Sequence, residues 1–257
     1  MIILIAESKT MLDAASPVSA DLFLSRCPAC EDAADAIMAR VSRMSAPEIA
    51  ALVKVSPAMA AKIVRMAYEF PNKLVGNPAI EAFTGVVFRN FHYASLSPSN
   101  REFTDSHVRI ISSLYGWLRP TDIIKPYRFD FTTPIAPEGS GPLSTFWRKD
   151  VTLQLVRQLQ ATADTDILNL LPADAARCVD WKIVRRFAKV WKVDFKEPDG
   201  TAWRTPNAGR LKAMRGSLLR EIATRRISTP DPLLTLATDT ILPLSTPDYP
   251  DHIAFAV

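Results

Sequence analysis

Met1-Ile2-Ile3-Leu4-Ile5-Ala6-Glu7-Ser8-Lys9-Thr10 opens the chain with six apolar residues followed by four polar ones. So short and isoleucine-rich a run reads as a strand buried on both faces, the kind found in parallel sheets covered by helices. It falls well below the roughly 18 consecutive apolar residues of a membrane helix and lacks a basic leader, so it is read as neither a span nor a signal peptide. Open α/β sheets place ligands beyond the carboxyl ends of their strands, which makes Lys9 a candidate anion contact. The plainer alternative is that Lys9 is simply the first exposed residue after the strand.

Working outward, Asp166–Leu171 reads as a second buried strand ending near Pro172, Val190–Lys196 as a half-exposed one, and His252–Val257 as the last. Ala82–Phe88 is expected to be a short strand in which Gly85 marks a bulge or a close backbone approach. Helical spacing is seen over Glu31–Met44. Ser45-Ala46-Pro47-Glu48 then supplies a capping serine, a first-turn proline and a capping-box glutamate for a helix to about Val55. Ser56-Pro57 starts another, with Met59, Ile63, Met66 and Phe70 on one face. Thr104 is expected to cap a helix through about Leu118, with Val108, Ile111, Leu114 and Tyr115 on one side and Arg109 on another. Asp150–Gln160 and the basic Leu211–Arg226 complete the helices. Interleaved strands and helices without a repeat or linker imply one α/β domain over residues 1–257, with a helical segment near residues 31–70.

Composition excludes whole-chain disorder and a flexible-linker protein: 48% of the 257 residues are hydrophobic, and glycines number 8 against 20 prolines. Three cysteines make no disulfide framework, so a cytoplasmic setting is expected. The pair in Cys27-Pro28-Ala29-Cys30 is a weak signal for redox chemistry or zinc, and no metal or cofactor is expected. The net charge of +4 is unevenly spread. Residues 181–226 hold 13 Lys or Arg against 4 Asp or Glu, leaving the rest of the chain at −5. Such asymmetry favours a polyanionic partner or a phosphorylated ligand, against the ordinary reading of a solvated basic face.

The densest segment in chemistry is His107–Phe131. It contains Leu114-Tyr115-Gly116-Trp117-Leu118-Arg119-Pro120-Thr121-Asp122 and then Pro126-Tyr127-Arg128. Arginines beside phenols suit phosphate binding and base stacking, whereas the alternative is a rigid turn whose arginines pair with Asp122 and Asp130. No phosphate-binding glycine loop, nucleophile elbow or His-x-x-x-His accompanies it.

This block resembles the YaaA family of bacterial peroxide-stress proteins. The likeness extends to Glu7-Ser8-Lys9-Thr10, to Phe83-Thr84-Gly85-Val86 and Ile167-Leu168-Asn169-Leu170, and to Lys212-Ala213-Met214-Arg215-Gly216. The resemblance implies a large mixed sheet flanked by helices, a basic cleft, DNA binding and a role in limiting iron-driven oxidative damage. It carries the cleft lining to Lys9, Arg109, Tyr115, Arg119, Tyr127, Arg128, Asn169, Lys212 and Arg215, and a helix-hairpin-helix to residues 46–70. The hairpin Val55-Ser56-Pro57-Ala58 lacks the usual glycine and also fits plain helix packing. Relatives carry Ala-Ser and then Glu-Tyr after the Asn169 strand, whereas this chain has Leu170-Leu171-Pro172-Ala173-Asp174. Asp174 is a candidate substitute for the missing carboxylate.

Two readings follow. In one, the cleft binds DNA with little sequence preference and no membrane partner. In the other, it is an enzyme site for a nucleotide or another phosphorylated small molecule, with Asp122 or Tyr127 as acid or base. A closed pocket of a few hundred cubic ångströms favours a small ligand, and an open basic groove favours DNA.

Overall fold

The computed structural model describes residues 1–137, 141–245 and 251–257. Its strands are β1 (Ile2–Ala6), β2 (Ser16–Pro17), β3 (Val75–Pro78), β4 (Val108–Ser112), β5 (Gly116–Leu118), β6 (Ile123–Ile124), β7 (Asp166–Asn169), β8 (Lys189–Asp199), β9 (Ala202–Arg204), β10 (Leu242–Leu244) and β11 (His252–Ala256). The main sheet runs β10-β11-β8-β7-β1-β4-β5, with β9 paired to β8. Strands β11, β8, β7, β1 and β4 are parallel, and β10, β9 and β5 attach antiparallel. A small sheet, β2-β3-β6, stands apart from it. The architecture is thus mixed α/β, as expected.

The opening strand occupies the middle of this sheet. Its Ile3 and Leu4 pair with Val108 and Arg109 on one side and with Leu168 and Asn169 on the other. Ile2 to Ile5 are almost wholly buried. Two-sided burial is why the run shows no alternation in sequence.

The helical segment near 31–70 forms as its caps dictate, with helices Glu31–Val41, Ala46–Val53 and Pro57–Glu69. Ser45 and Glu48 close a capping box, in which Ser45 N–H donates to Glu48 Oε2 at 2.8 Å. Such a cap contributes about 1 kcal/mol. Ser56 caps the next helix by accepting from Met59 N–H. Ala60, Ile63 and Ala67 are buried on its inner face.

Two expectations are corrected. The helix expected over 104–118 is the helix Pro98–His107, capped by Ser97, after which the chain enters β4 and β5. Val108, Ile111, Leu114 and Tyr115 satisfy a helical spacing by accident, but the residues from Val108 to Ser112 are all buried. They form a continuous buried run that neighbouring β1 converts into a parallel strand. Conversely, most of Ala82–Phe88 is not strand: Phe83 makes one isolated bridge to Met11, and Val86–Phe91 is a helix. The close approach at Gly85 is real, since a Cβ there would stand 2.0 Å from Ser8 Oγ.

Candidate functional site

From β1 the sheet grows toward β4 on one side and toward β7 on the other, so the chain changes direction across β1. A crevice outside the carboxyl ends of the strands at such a switch point is where open α/β sheets hold ligands. Here it is a cavity of about 380 Å³. Its walls are the β1 exit from Ala6 to Thr10, the start of the Val86–Phe91 helix, Asp130 with Phe131, the segment after β7 with Asp174, and Lys212 with Arg215.

Two glycines bring these walls together. Gly85 lets the Ser8–Thr10 loop lie against the helix that follows it. Gly216 lets the helix Ala208–Arg225 rest on the Val87 backbone, where a Cβ would come within 2.3 Å of the carbonyl oxygen. Lys212 is one helical turn from Gly216, so the contact made by the glycine turns Lys212 and Arg215 toward the crevice.

The electrostatics combine cations with one unusual acid. Glu7 Oε2 accepts from Ser113 N–H at 2.8 Å and from the Tyr127 hydroxyl. Burial pushes its pKa up to about 7 in spite of these bonds. Lys9 Nζ pairs with Asp130 at 2.8 Å. Partial burial works to raise Asp130, but the bonds from Lys9 and Thr132 prevail and hold it down to about 2. Arg215 is half-buried, which lowers its pKa against the opposing pull of Asp174. Neither Lys212 nor Arg215 makes a hydrogen bond or a close ion pair among the described residues.

The residues singled out in sequence therefore divide. Lys9, Lys212 and Arg215 line the crevice. Tyr127 lies directly behind it, reaching it through Glu7. Asn169 ends β7 and accepts from Leu171 N–H at 3.0 Å, shaping the turn that carries Leu170 and Pro172 into the wall. Arg128 clamps the Lys9 carbonyl from outside the lining. The remaining four lie elsewhere. Arg109 is buried and donates to the carbonyls of Asp105 and Val108 and to Gln158 Oε1. The Tyr115 hydroxyl is buried and accepts from Lys125 N–H. Arg119 and Asp122 lock their own turn: the Asp122 carboxylate accepts from both Arg119 N–H and Nε. Asp122 is almost wholly buried, which raises its pKa to about 6 against those bonds, and it does not face the crevice.

Glu7 is the main residue that residue-type reasoning missed. The signal was present, since it is the first polar group after a strand buried on both faces. Asp130 and Arg89 also line the crevice, and Asp174 stands where a substitute carboxylate was sought. Among the described residues no group of three or more His, Cys, Asp or Glu gathers as a metal site, and no helix is long and apolar enough to cross a membrane.

Residues 1–240 match the family model described as peroxide stress protein YaaA. Similar curated sequences include a UPF0246 protein of Parabacteroides distasonis, 31% identical over 238 residues that cover 91% of this chain and 90% of the relative. Another, from Laribacter hongkongensis, is 30% identical over 240 residues, covering 91% and 90%. A third, from Bacteroides fragilis, is 26% identical over 242 residues, covering 92% and 91%.

Proposed function

The chain belongs to the YaaA family of peroxide stress proteins, and from that premise we propose that it serves peroxide stress by binding DNA, seating the phosphate of one unpaired or terminal nucleotide in the crevice. The observation that carries this reading is the pair Lys212 and Arg215, turned into the cavity with neither a hydrogen bond nor a close ion pair for either among the described residues. Cations held in that state are poised for a phosphate. A cavity of about 380 Å³ has the size of a single nucleotide rather than a duplex. Unpaired, gapped or terminal DNA is accordingly the preferred form, and protection against iron-driven oxidation is exercised at such sites.

The hairpin between the helices Ala46–Val53 and Pro57–Glu69 contributes packing on this reading. Pro57 has no N–H to offer a phosphate, and Met59 N–H is already engaged by Ser56.

Fluorescence anisotropy with single-stranded, gapped and fully duplex DNA across a salt series tests the proposal. Binding should be salt-sensitive, strongest for gapped or single-stranded DNA and competed by a mononucleotide. Absence of binding at low salt, or binding to duplex alone that Lys212→Ala leaves intact, would overturn it.

A further inference from the structure

Glu7 has a feature that phosphate binding by cations alone does not use. Its two hydrogen bonds of good geometry, from Ser113 N–H and from Tyr127, fall on Oε2, and the Ser112 and Ser113 hydroxyls lie near enough to favour the carboxylate as well. The Tyr127 hydroxyl is in turn held 2.7 Å from Ser112 Oγ, which the amides of Leu114 and Tyr115 fix in place. The carboxyl group is therefore oriented by a rigid frame. Oε1 has no hydrogen-bond partner among the described residues, yet it is not among the buried polar atoms that lack one. Oε1 is therefore not sealed off, and Glu7 is part of the crevice lining.

We propose that the crevice holds the phosphate of a phosphate monoester between the cations of Lys9, Lys212 and Arg215 and the protonated carboxyl of Glu7, which donates a hydrogen bond from Oε1. This rests on the reading of the crevice as a nucleotide-phosphate seat and specifies its chemistry. The ligand is a terminal phosphate, carried on a DNA end or on a free nucleotide. An ionised Glu7 would repel it, whereas the acid form adds a donor aimed at a phosphate oxygen. The raised pKa keeps that form populated at neutral pH.

The groups around Glu7 agree with this assignment. Lys9 comes from the β1 exit, paired with Asp130; Arg89 from the Val86–Phe91 helix; Lys212 and Arg215 from the Ala208–Arg225 helix; and Asp174 from the segment after β7. Tyr127 lies behind the carboxyl, and Cys178 is coupled to it electrostatically. Burial pushes both Tyr127 and Cys178 up, and Asp130 is held near 2, so none of these three titrates near neutrality.

Glu7→Gln is the decisive variant. Its amide oxygen keeps the bonds from Ser113 and Tyr127, which turns the amide nitrogen, a permanent donor, toward the crevice. Isothermal calorimetry of 5′-deoxyadenosine monophosphate and of a short 5′-phosphorylated oligonucleotide, from about pH 6 to pH 9, compares the two proteins. Wild-type affinity should fall about tenfold per pH unit above Glu7's titration, with proton uptake visible as a buffer-dependent heat. Glu7→Gln should show none of that fall and bind more tightly than wild type at about pH 9. Titration of the phosphate itself, with its pKa near 6, is common to both proteins.

Identical pH profiles, or weaker binding by Glu7→Gln throughout, would overturn the inference while leaving the nucleotide reading standing. Failure of both probes to bind wild type at any pH would overturn that reading and the inference with it. Binding of the oligonucleotide supports a DNA end as the source, and binding of the mononucleotide alone supports a free nucleotide; in either case it is the difference in pH profile between the two proteins that supports the proton-donating seat.

Discussion

Two regions gather basic side chains beside aromatic ones, and they use them in opposite ways. In the Leu114–Arg128 block the donors are bonded within the protein, even where the side chain, as at Arg119, stays exposed. Arg119 is locked to Asp122, Lys125 donates to the Phe70 carbonyl from above the Phe70 ring, and Arg128 clamps the Lys9 carbonyl. In the crevice, Lys212 and Arg215 have no such hydrogen-bond partner among the described residues. Charge in a sequence thus marks a binding surface only where the fold leaves its hydrogen bonds open. A motif rich in arginine is as well suited to holding a turn together.

The largest expected effect tests how the crevice is built. Gly216→Val places methyl groups against the Val87 carbonyl and should push the Ala208–Arg225 helix off the Val86–Phe91 helix. Overpacking of this kind costs about 1–3 kcal/mol. Denaturant unfolding should show that loss, and nucleotide binding should disappear with it. Unchanged stability would mean that the two helices do not rely on the glycine contact.

A loss of similar size is expected in the other region. Asp122→Ala removes the acceptor for two Arg119 donors and should cost about 1–3 kcal/mol, while leaving DNA affinity per folded molecule intact. A fall in affinity beyond the folded fraction would break the division between the two regions.

The pH dependence of stability sharpens it further. Glu7 titrates near 4.5 when unfolded and at about 7 in the folded protein, so the folded state holds its proton over the interval between. Its contribution is fully favourable below about 4.5, declines as the pH rises to 7 and is constant above. At about 1.4 kcal/mol per unit the decline is of order 3–4 kcal/mol. Glu7→Gln should flatten this part of the pH–stability curve, and an unchanged curve would contradict the assignment. Asp130 behaves oppositely, its stabilising pair with Lys9 being lost as the pH falls through about 2.

The smallest effect is expected from the cysteine pair. Burial raises both thiols, Cys30 to about 11, so neither is appreciably ionised at neutral pH. Reaction with a disulfide reagent at pH 7 should be slow, and Cys27→Ser with Cys30→Ser should leave DNA binding unchanged. Rapid reaction would return this pair to consideration as a redox element.

Much of the fold was legible because its signals are local. Ser45, Glu48, Ser56 and Pro57 start helices wherever they stand, and Met1–Ala6 has no use but burial. What was misread depended on distant neighbours. Val108–Ile111 becomes a strand because β1 lies beside it, and Val86–Phe91 becomes a helix packed under Gly216. The same holds for the site. Lys9, Lys212 and Arg215 were visible as cations, but nothing local distinguishes them from Arg109 and Arg119, whose partners are Gln158 and Asp122. Glu7 was overlooked because its importance comes from Ser113 and Tyr127, more than a hundred residues away.

The most direct test of the central claim, that the crevice rather than the arginine-rich turn meets phosphate, is the salt dependence of single-stranded DNA binding in Lys212→Ala, Arg215→Ala and Arg119→Ala side by side. The first two should each reduce the log–log slope, by at most about 0.7, the contribution of the one phosphate they hold together, and Arg119→Ala should leave it unchanged. A reduced slope for Arg119→Ala with none for Lys212→Ala and Arg215→Ala would contradict the account.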